Sequence, residues 1–180
     1  LLRQFGPEEW TLYKGRHLLS FADNHDVSRI ASILSNPAHL PLLYTMLFGM
    51  PGIPCVYYGS EWGTKADKSE GDPALRPCFD APQWNELTDH IAALCAARTG
   101  SRALQYGDFK SLLLTNRQCI FERETEDDRV LVVINADEGG FHADFNARAG
   151  RAHDLITGQT VDFGGGLDIP AYTSYILCPF

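Results

Sequence analysis

The sequence has no excess of positive charge: Lys and Arg number 15 against 23 Asp and Glu, a formal net charge of −8 at pH 7. With no basic stripe to neutralise phosphates, the composition argues against nucleic acid and anionic membrane as partners and favours a neutral or weakly charged substrate. Cysteine is sparse and unpatterned. Cys55, Cys78, Cys95, Cys119 and Cys178 stand singly, with neither the even count nor the short spacing of a disulfide framework or zinc site. They read as free, mostly buried thiols, which favours a reducing, cytoplasmic compartment, while a secreted or periplasmic parent stays compatible. An initiator Met and a charged-then-apolar leader are also absent, from which a start in mid-protein is expected. Charge disappears from residues 40–58, long enough to raise the question of a membrane span of about 20 residues. Pro41, Gly49, Pro51, Gly52 and Pro54 would break any continuous helix there, and a buried helix, a turn and a buried strand account for the same apolarity. His17, His39, His90, His142 and His153 lack metal-ligand spacing, and Asp67, Glu70, Asp72 and Asp80 lack the fixed spacing of a calcium loop, so no metal and no cofactor is expected.

What is present is enough apolar residue, 44% of 180, to bury a real core. Residues 17–21 form a short apolar run that ends in a polar cluster, as a buried strand does where it emerges into a loop. Helical spacing follows over 28–34 and 41–48, Pro41 suiting a first turn. After the turn at Gly49-Met50-Pro51-Gly52, residues 53–58 have the β-branched and aromatic composition of a strand buried on both faces. Residues 64–80 read as a long functional loop, and a helix opens at Pro82 and runs to about Arg98. Strand, helices, strand, loop, helix is parallel α/β chemistry, but two strands cannot close a sheet. From about 107 the rhythm changes to seven or eight short strands, over 110–115, 119–123, 129–135, 141–145, 152–156, 160–163 and 174–178, implying a small antiparallel β-sandwich. The expected organisation is therefore α/β over residues 1–106 and all-β over 107–180.

Asp23-Asn24-His25-Asp26 sets two carboxylates, an amide and an imidazole just beyond a strand end. By itself that pattern leaves two readings open: a reactive cluster, or a solvated turn with Asp26 capping the next helix. The wider sequence carries a resemblance. Phe21-Ala22-Asp23-Asn24-His25-Asp26 resembles the fourth signature region of the α-amylase family, glycoside hydrolase family thirteen. Gly52-Ile53-Pro54-Cys55-Val56-Tyr57-Tyr58-Gly59-Ser60-Glu61 is similar to that family's eighth barrel strand, and Gly71-Asp72-Pro73-Ala74-Leu75-Arg76 to the loop after it. The motifs cover about residues 10–100.

The resemblance implies the C-terminal part of a (β/α)8 barrel followed by an antiparallel β-sandwich, in a retaining enzyme that cleaves or transfers α-glucosidic bonds in starch-like or maltodextrin oligosaccharides. It implies that Asp26 and His25 are catalytic, gripping the 2- and 3-hydroxyls of the sugar at the cleavage point, with Asn24 beside them. Asp72 and Arg76 match a pair that holds a glucose farther along, against the alternative of a loop salt bridge. Glu61 matches a structural glutamate, and Arg29 reads as a surface residue or one that supports the site from below. Retaining glycosidases need a nucleophile and an acid/base about 5–5.5 Å apart; in similar proteins both lie on earlier strands, so these 180 residues are expected to be inactive alone. Two rivals are a non-catalytic amylase-like scaffold, which would need neither His25 nor Asp26, and a carbohydrate-binding module over residues 107–180. Trp10, Trp62 and Trp84 could stack on sugars, although core packing is the default for large aromatics. Two barrel strands with bare edges also lead to an expectation of self-association, as a homo-oligomer, or of a partly disordered N-terminal half.

Overall fold

The computed structural model describes residues 2–6, 8 and 10–180. A short helix α1 (Leu2–Phe5) precedes β1 (Leu19–Phe21), α2 (Ile30–Ile33), α3 (His39–Gly49) and β2 (Ile53–Cys55). The two strands pair in parallel, Leu19 opposite Ile53 and Phe21 opposite Cys55. Their approach requires glycine at position 52: its φ is 113°, and a Cβ there would lie 2.5 Å from the Leu18 carbonyl oxygen, which accepts from Ile53 N at 2.8 Å. The expectation that residues 53–58 are buried on both faces is corrected here. Leu19 is 61% and Ile53 51% exposed, because among the described residues this pair has no third strand beside it. Val56 to Tyr58 leave the strand altogether.

The segment 64–80, expected to be irregular, holds a 3-10 turn (Lys68–Glu70) and α4 (Asp72–Leu75). Helix α5 (Glu86–Gly100) begins four residues after Pro82, since Asn85 closes a capping box with Thr88. A further short helix, α6 (Arg102–Tyr106), is capped by Ser101, whose hydroxyl accepts from Leu104 N at 3.1 Å.

The second half is β-rich: β3 (Asp108–Leu114), β4 (Gln118–Glu124), β5 (Arg129–Asn135), β6 (Phe141–Ala143), β7 (Arg151–Asp154), β8 (Thr160–Asp162), β9 (Leu167–Ile169) and β10 (Thr173–Pro179). Six of them form an antiparallel sheet in the order β3-β4-β5-β10-β7-β8, and β6 pairs with β9 in a separate ribbon. The two layers are therefore unequal. One face of the large sheet, through Ile120, Leu131, Val133 and Leu177, packs with Ala143, Leu167 and Ile169 of the ribbon. The other face, through Phe121, Val132, Ile134 and Ile176, packs not on a second sheet but on Leu42 and Phe48 of α3 and Ile91 and Leu94 of α5. The unbroken apolar run of β5 follows, because successive side chains point to opposite faces and both faces are covered.

Two buried arginines bind backbone carbonyls, Arg98 within the first half and Arg123 reaching across to it from the second. Arg98 on α5 donates to the carbonyls of Phe48, Met50 and Gly52, and Arg123 on β4 donates to Gly49 O at 2.8 Å and to Gly107 O. Burial together with the nearby charge of Arg98 pushes the Arg123 guanidinium down to about 9, against an opposing pull from Asp108. All five cysteines are free, but the expectation that most are buried fails: Cys119 is buried, whereas Cys78 and Cys95 are exposed. No described helix is long and apolar enough to cross a membrane.

His90 on α5 sits against α3, its Nε2 within 3.1 Å of the Pro41 carbonyl and 3.0 Å of the Thr45 hydroxyl. Burial lowers its pKa below the ordinary 6.5, outweighing the Pro41 carbonyl and Asp154, which act the other way. Above pH 6.5 the imidazole is neutral folded or unfolded; below it, the unfolded chain takes up the proton first, so this contribution is lost as pH falls toward the depressed folded value. Urea unfolding between pH 7 and pH 5 is expected to show a smaller loss of stability for His90→Gln, which keeps a donor for Pro41, than for the unsubstituted chain. An equal loss in both shows that His90 is not responsible.

Candidate functional site

The loops that leave β1 and β2 meet over a buried polar knot. At its centre the Arg29 side chain, 0% exposed, donates from one terminal nitrogen to Tyr58 O at 2.7 Å and to the Ser60 hydroxyl at 3.0 Å, and from the other to Leu75 O at 2.8 Å. Asp23, 2% exposed, supplies the opposite charge without touching it: the Ser60 hydroxyl lies 2.9 Å from both of its carboxylate oxygens. Ser60 has one proton to give and lone pairs to receive with, so it accepts from Arg29 and donates to Asp23. The guanidinium also lies 4.2 Å from the centroid of the Tyr57 ring, within cation–π range. The Tyr44 hydroxyl donates to Ser60 O at 3.3 Å, and burial, reinforced by Asp23, raises its pKa so that it stays neutral.

This geometry separates readings that the sequence leaves open. Arg29 is not at the surface but buried beneath the site, in keeping with the supporting alternative. The carboxylate that meets the start of α2 is Asp23, which accepts from Ile30 N at 2.8 Å, and not Asp26. Relieved of that duty, Asp26 points outward with a side chain 62% exposed. It is surrounded by the residues that the motifs single out. His25 Nε2 lies 3.2 Å from one carboxylate oxygen of Asp26, and an Arg76 nitrogen 3.4 Å from the other. Arg76 also reaches Asp72 at 3.4 Å, so the loop pair and the strand-exit cluster form one ionic chain across residues that lie 50 positions apart. Asn24 is turned inward on its own loop: its side-chain oxygen accepts from Asp26 N at 2.8 Å, fixing the backbone that carries the carboxylate. Lys68 adds a second restraint by donating to the Asp26 carbonyl at 2.6 Å.

Tyr57 forms one wall, its ring centre 6.4 Å from that of His25, and continues into Tyr58, Phe79 and Trp62 through edge-on contacts at 4.8, 5.8 and 4.9 Å. Gly59, with φ of 83°, lets Phe79 pass; a Cβ there would come within 2.8 Å of its ring. Ser60 and Lys68 escaped the reading of the sequence. The signal that could have found the knot is Arg29 itself, one charge at the head of an otherwise apolar helix containing Ile30 and Ile33. Among the described residues no group of three or more His, Cys, Asp or Glu is placed to hold a metal ion.

Replacing Ser60 by Ala removes the hydroxyl that links two buried charges, and removing a buried partner costs about 1–3 kcal/mol. Arg29→Met leaves Asp23 unpaired in the interior, a loss of about 3–5 kcal/mol. Urea denaturation of the two variants is expected to rank them in that order; equal stability of Arg29→Met and the unsubstituted chain rules out the knot as a stabilising unit.

Comparison with known proteins yields a consistent set of relatives. Residues 8–138 match the alpha amylase catalytic domain. A cyclomaltodextrinase from Bacillus sp is 32% identical over 133 residues, covering 68% of this chain and 23% of that protein. A cyclomaltodextrin glucanotransferase from Geobacillus stearothermophilus is 27% identical over 163 residues, 86% of this chain and 22% of that protein. The chain thus spans about a quarter of the length of the curated relatives it matches. The crystal structure of an Anoxybacillus alpha-amylase superposes with a TM-score of 0.77 at 29% identity, over 91% of this chain and 38% of that one. With nearly three quarters of its residues matching the catalytic domain, the chain belongs to the alpha-amylase family, glycoside hydrolase family thirteen.

Proposed function

We propose that this chain supplies the sugar-gripping side of the active site in a retaining enzyme that hydrolyses or transfers α-glucosidic bonds of maltodextrins or cyclic glucans. The observation that carries the reading is the meeting of Asp26, from the loop after β1, with Arg76, from the loop after β2, at 3.4 Å on an exposed surface. Two strand exits converge there on a carboxylate that carries no capping bond and can accept from ligand hydroxyls.

In this reading Asp26 accepts hydrogen bonds from two neighbouring sugar hydroxyls, and His25 binds the same hydroxyls from its adjacent position. Those bonds strengthen as the ring flattens and its anomeric carbon gains positive charge, so they lower the barrier rather than only binding the ground state. Arg76 holds the Asp26 carboxylate in the orientation that faces the sugar, while Asp72, tethered by Arg76, contacts the next glucose. Asn24 acts through the backbone of Asp26. The charge on Asp26 also keeps a neighbouring acid protonated for donation to the leaving group. In this reading the nucleophile and that acid come from outside these 180 residues, which is supported by Asp23 being engaged in the knot through both oxygens and by Glu61 turning one carboxylate oxygen into the interior. Residues 1–106 belong to the closing part of a (β/α)8 barrel and 107–180 to a separate β-rich domain.

Asp26→Asn in the complete enzyme tests the assignment. The expected result is a loss of kcat on maltoheptaose of about 10²-fold or more, as for removal of one transition-state contact, with the thermal midpoint unchanged. Turnover at the unsubstituted rate refutes the role given to Asp26.

A further inference from the structure

The aromatic row that begins at Tyr57 ends at Trp62, whose backbone leads to the start of α5. The Trp62 carbonyl accepts from the Asn85 side chain at 2.9 Å, and Asn85 is the cap of α5, bonded through its side-chain oxygen to Thr88 N at 3.1 Å. The residue just before it, Trp84, is held by its own bond: the indole N–H donates to an Asp89 carboxylate oxygen in the first turn of α5 at 2.8 Å. The ring is therefore tied to α5 by a side-chain hydrogen bond. The ring is nevertheless 66% exposed.

An indole left in water forfeits the burial that usually justifies a tryptophan. One whose rotamer is locked has already lost the freedom that a ligand would otherwise have to take from it. The surroundings say what kind of ligand fits. Ala81, Pro82, Gln83, Asn85, Glu86 and Asp89 are exposed around the ring, so the apolar surface is one flat face set among amides and carboxylates. A protein partner calls for a contiguous apolar patch with a well-packed centre, and the net charge of −8 disfavours an anion. A neutral sugar has the matching chemistry: a face of C–H groups for the indole and a rim of hydroxyls for Asp89 and Gln83.

We propose that Trp84 with Asp89 forms an outlying subsite for the same α-glucan. The proposal rests on the reading of the substrate as a glucan, and it adds a contact that favours longer chains over short ones.

The full chain, labelled with nitrogen-15 at its three tryptophan indoles, can be titrated with maltoheptaose and followed by proton–nitrogen correlation spectra. The Trp84 signal is expected to shift along a saturable curve. Asp89→Ala, which releases the ring, is expected to weaken the binding read at Trp84 several-fold, and Trp84→Ala to weaken the maltoheptaose affinity read by titration calorimetry, with the Trp10 and Trp62 signals of the free protein unmoved. A Trp84 signal that stays fixed, or one that shifts identically with a non-glucan control such as sorbitol, overturns the subsite. Failure of the Asp26 assignment would be visible separately, as undiminished kcat of Asp26→Asn in the complete enzyme while the Trp84 signal still moves.

Discussion

The arrangement of the site depends on one buried cation. The guanidinium of Arg29 reaches two separate segments: Tyr58 and Ser60 after β2, and Leu75 at the end of α4. Its two terminal nitrogens hold these carbonyls where the guanidinium plane dictates, while its Nε is buried without a hydrogen-bond partner. Because Tyr57 neighbours one of those carbonyls and Arg76 follows another, the geometry that surrounds Asp26 is inherited from a residue that never approaches the surface. Asp23 makes this affordable, and Ser60 keeps the two charges apart by one hydroxyl.

That division of labour explains why two aspartates three positions apart have opposite fates. Asp23 is drawn inward by Ile30 N and Ser60, which leaves Asp26 with no bond to the helix and free for His25 and Arg76. From the sequence, the pair looks interchangeable. Local composition says only that a carboxylate near a helix start tends to cap it; which one does so is settled by Ser60, 37 residues away. For the same reason the sequence cannot choose between a surface and a supporting Arg29, since the carbonyls that receive it lie 29 and 46 residues distant.

Where the controlling interactions are local or periodic, the chain was easier to read. Helix α3 and the strands β4, β5 and β10 fall close to where apolar spacing put them. Helix α5 started late because the capping box of Asn85 and Thr88 outcompeted Pro82 as a start signal. The short elements α6 and β9 offered too few residues to show a period, and Leu167–Ile169 takes its extended form from pairing with β6 rather than from its own composition. The apolar run of β5 was recognisable as a strand, but that its second face would be covered by helices and not by another sheet could not be seen from it. The site residues Asn24, His25, Asp26, Asp72 and Arg76 were named from motifs, whereas the ionic chain joining them is a product of tertiary contact.

The joint core has a consequence for how such proteins can be recombined. Phe121, Val132 and Ile176 of the large sheet meet Leu42, Phe48 and Leu94 of the helices in one apolar cluster, and Arg123 ties β4 to the end of α3. A graft of the β-rich half from a relative would have to fit a helical surface it did not evolve with, and the volumes at those six positions would need to be exchanged together. The seam between the halves is thus a packing contract written on both sides, and lineages that trade one side alone inherit a cavity or a clash.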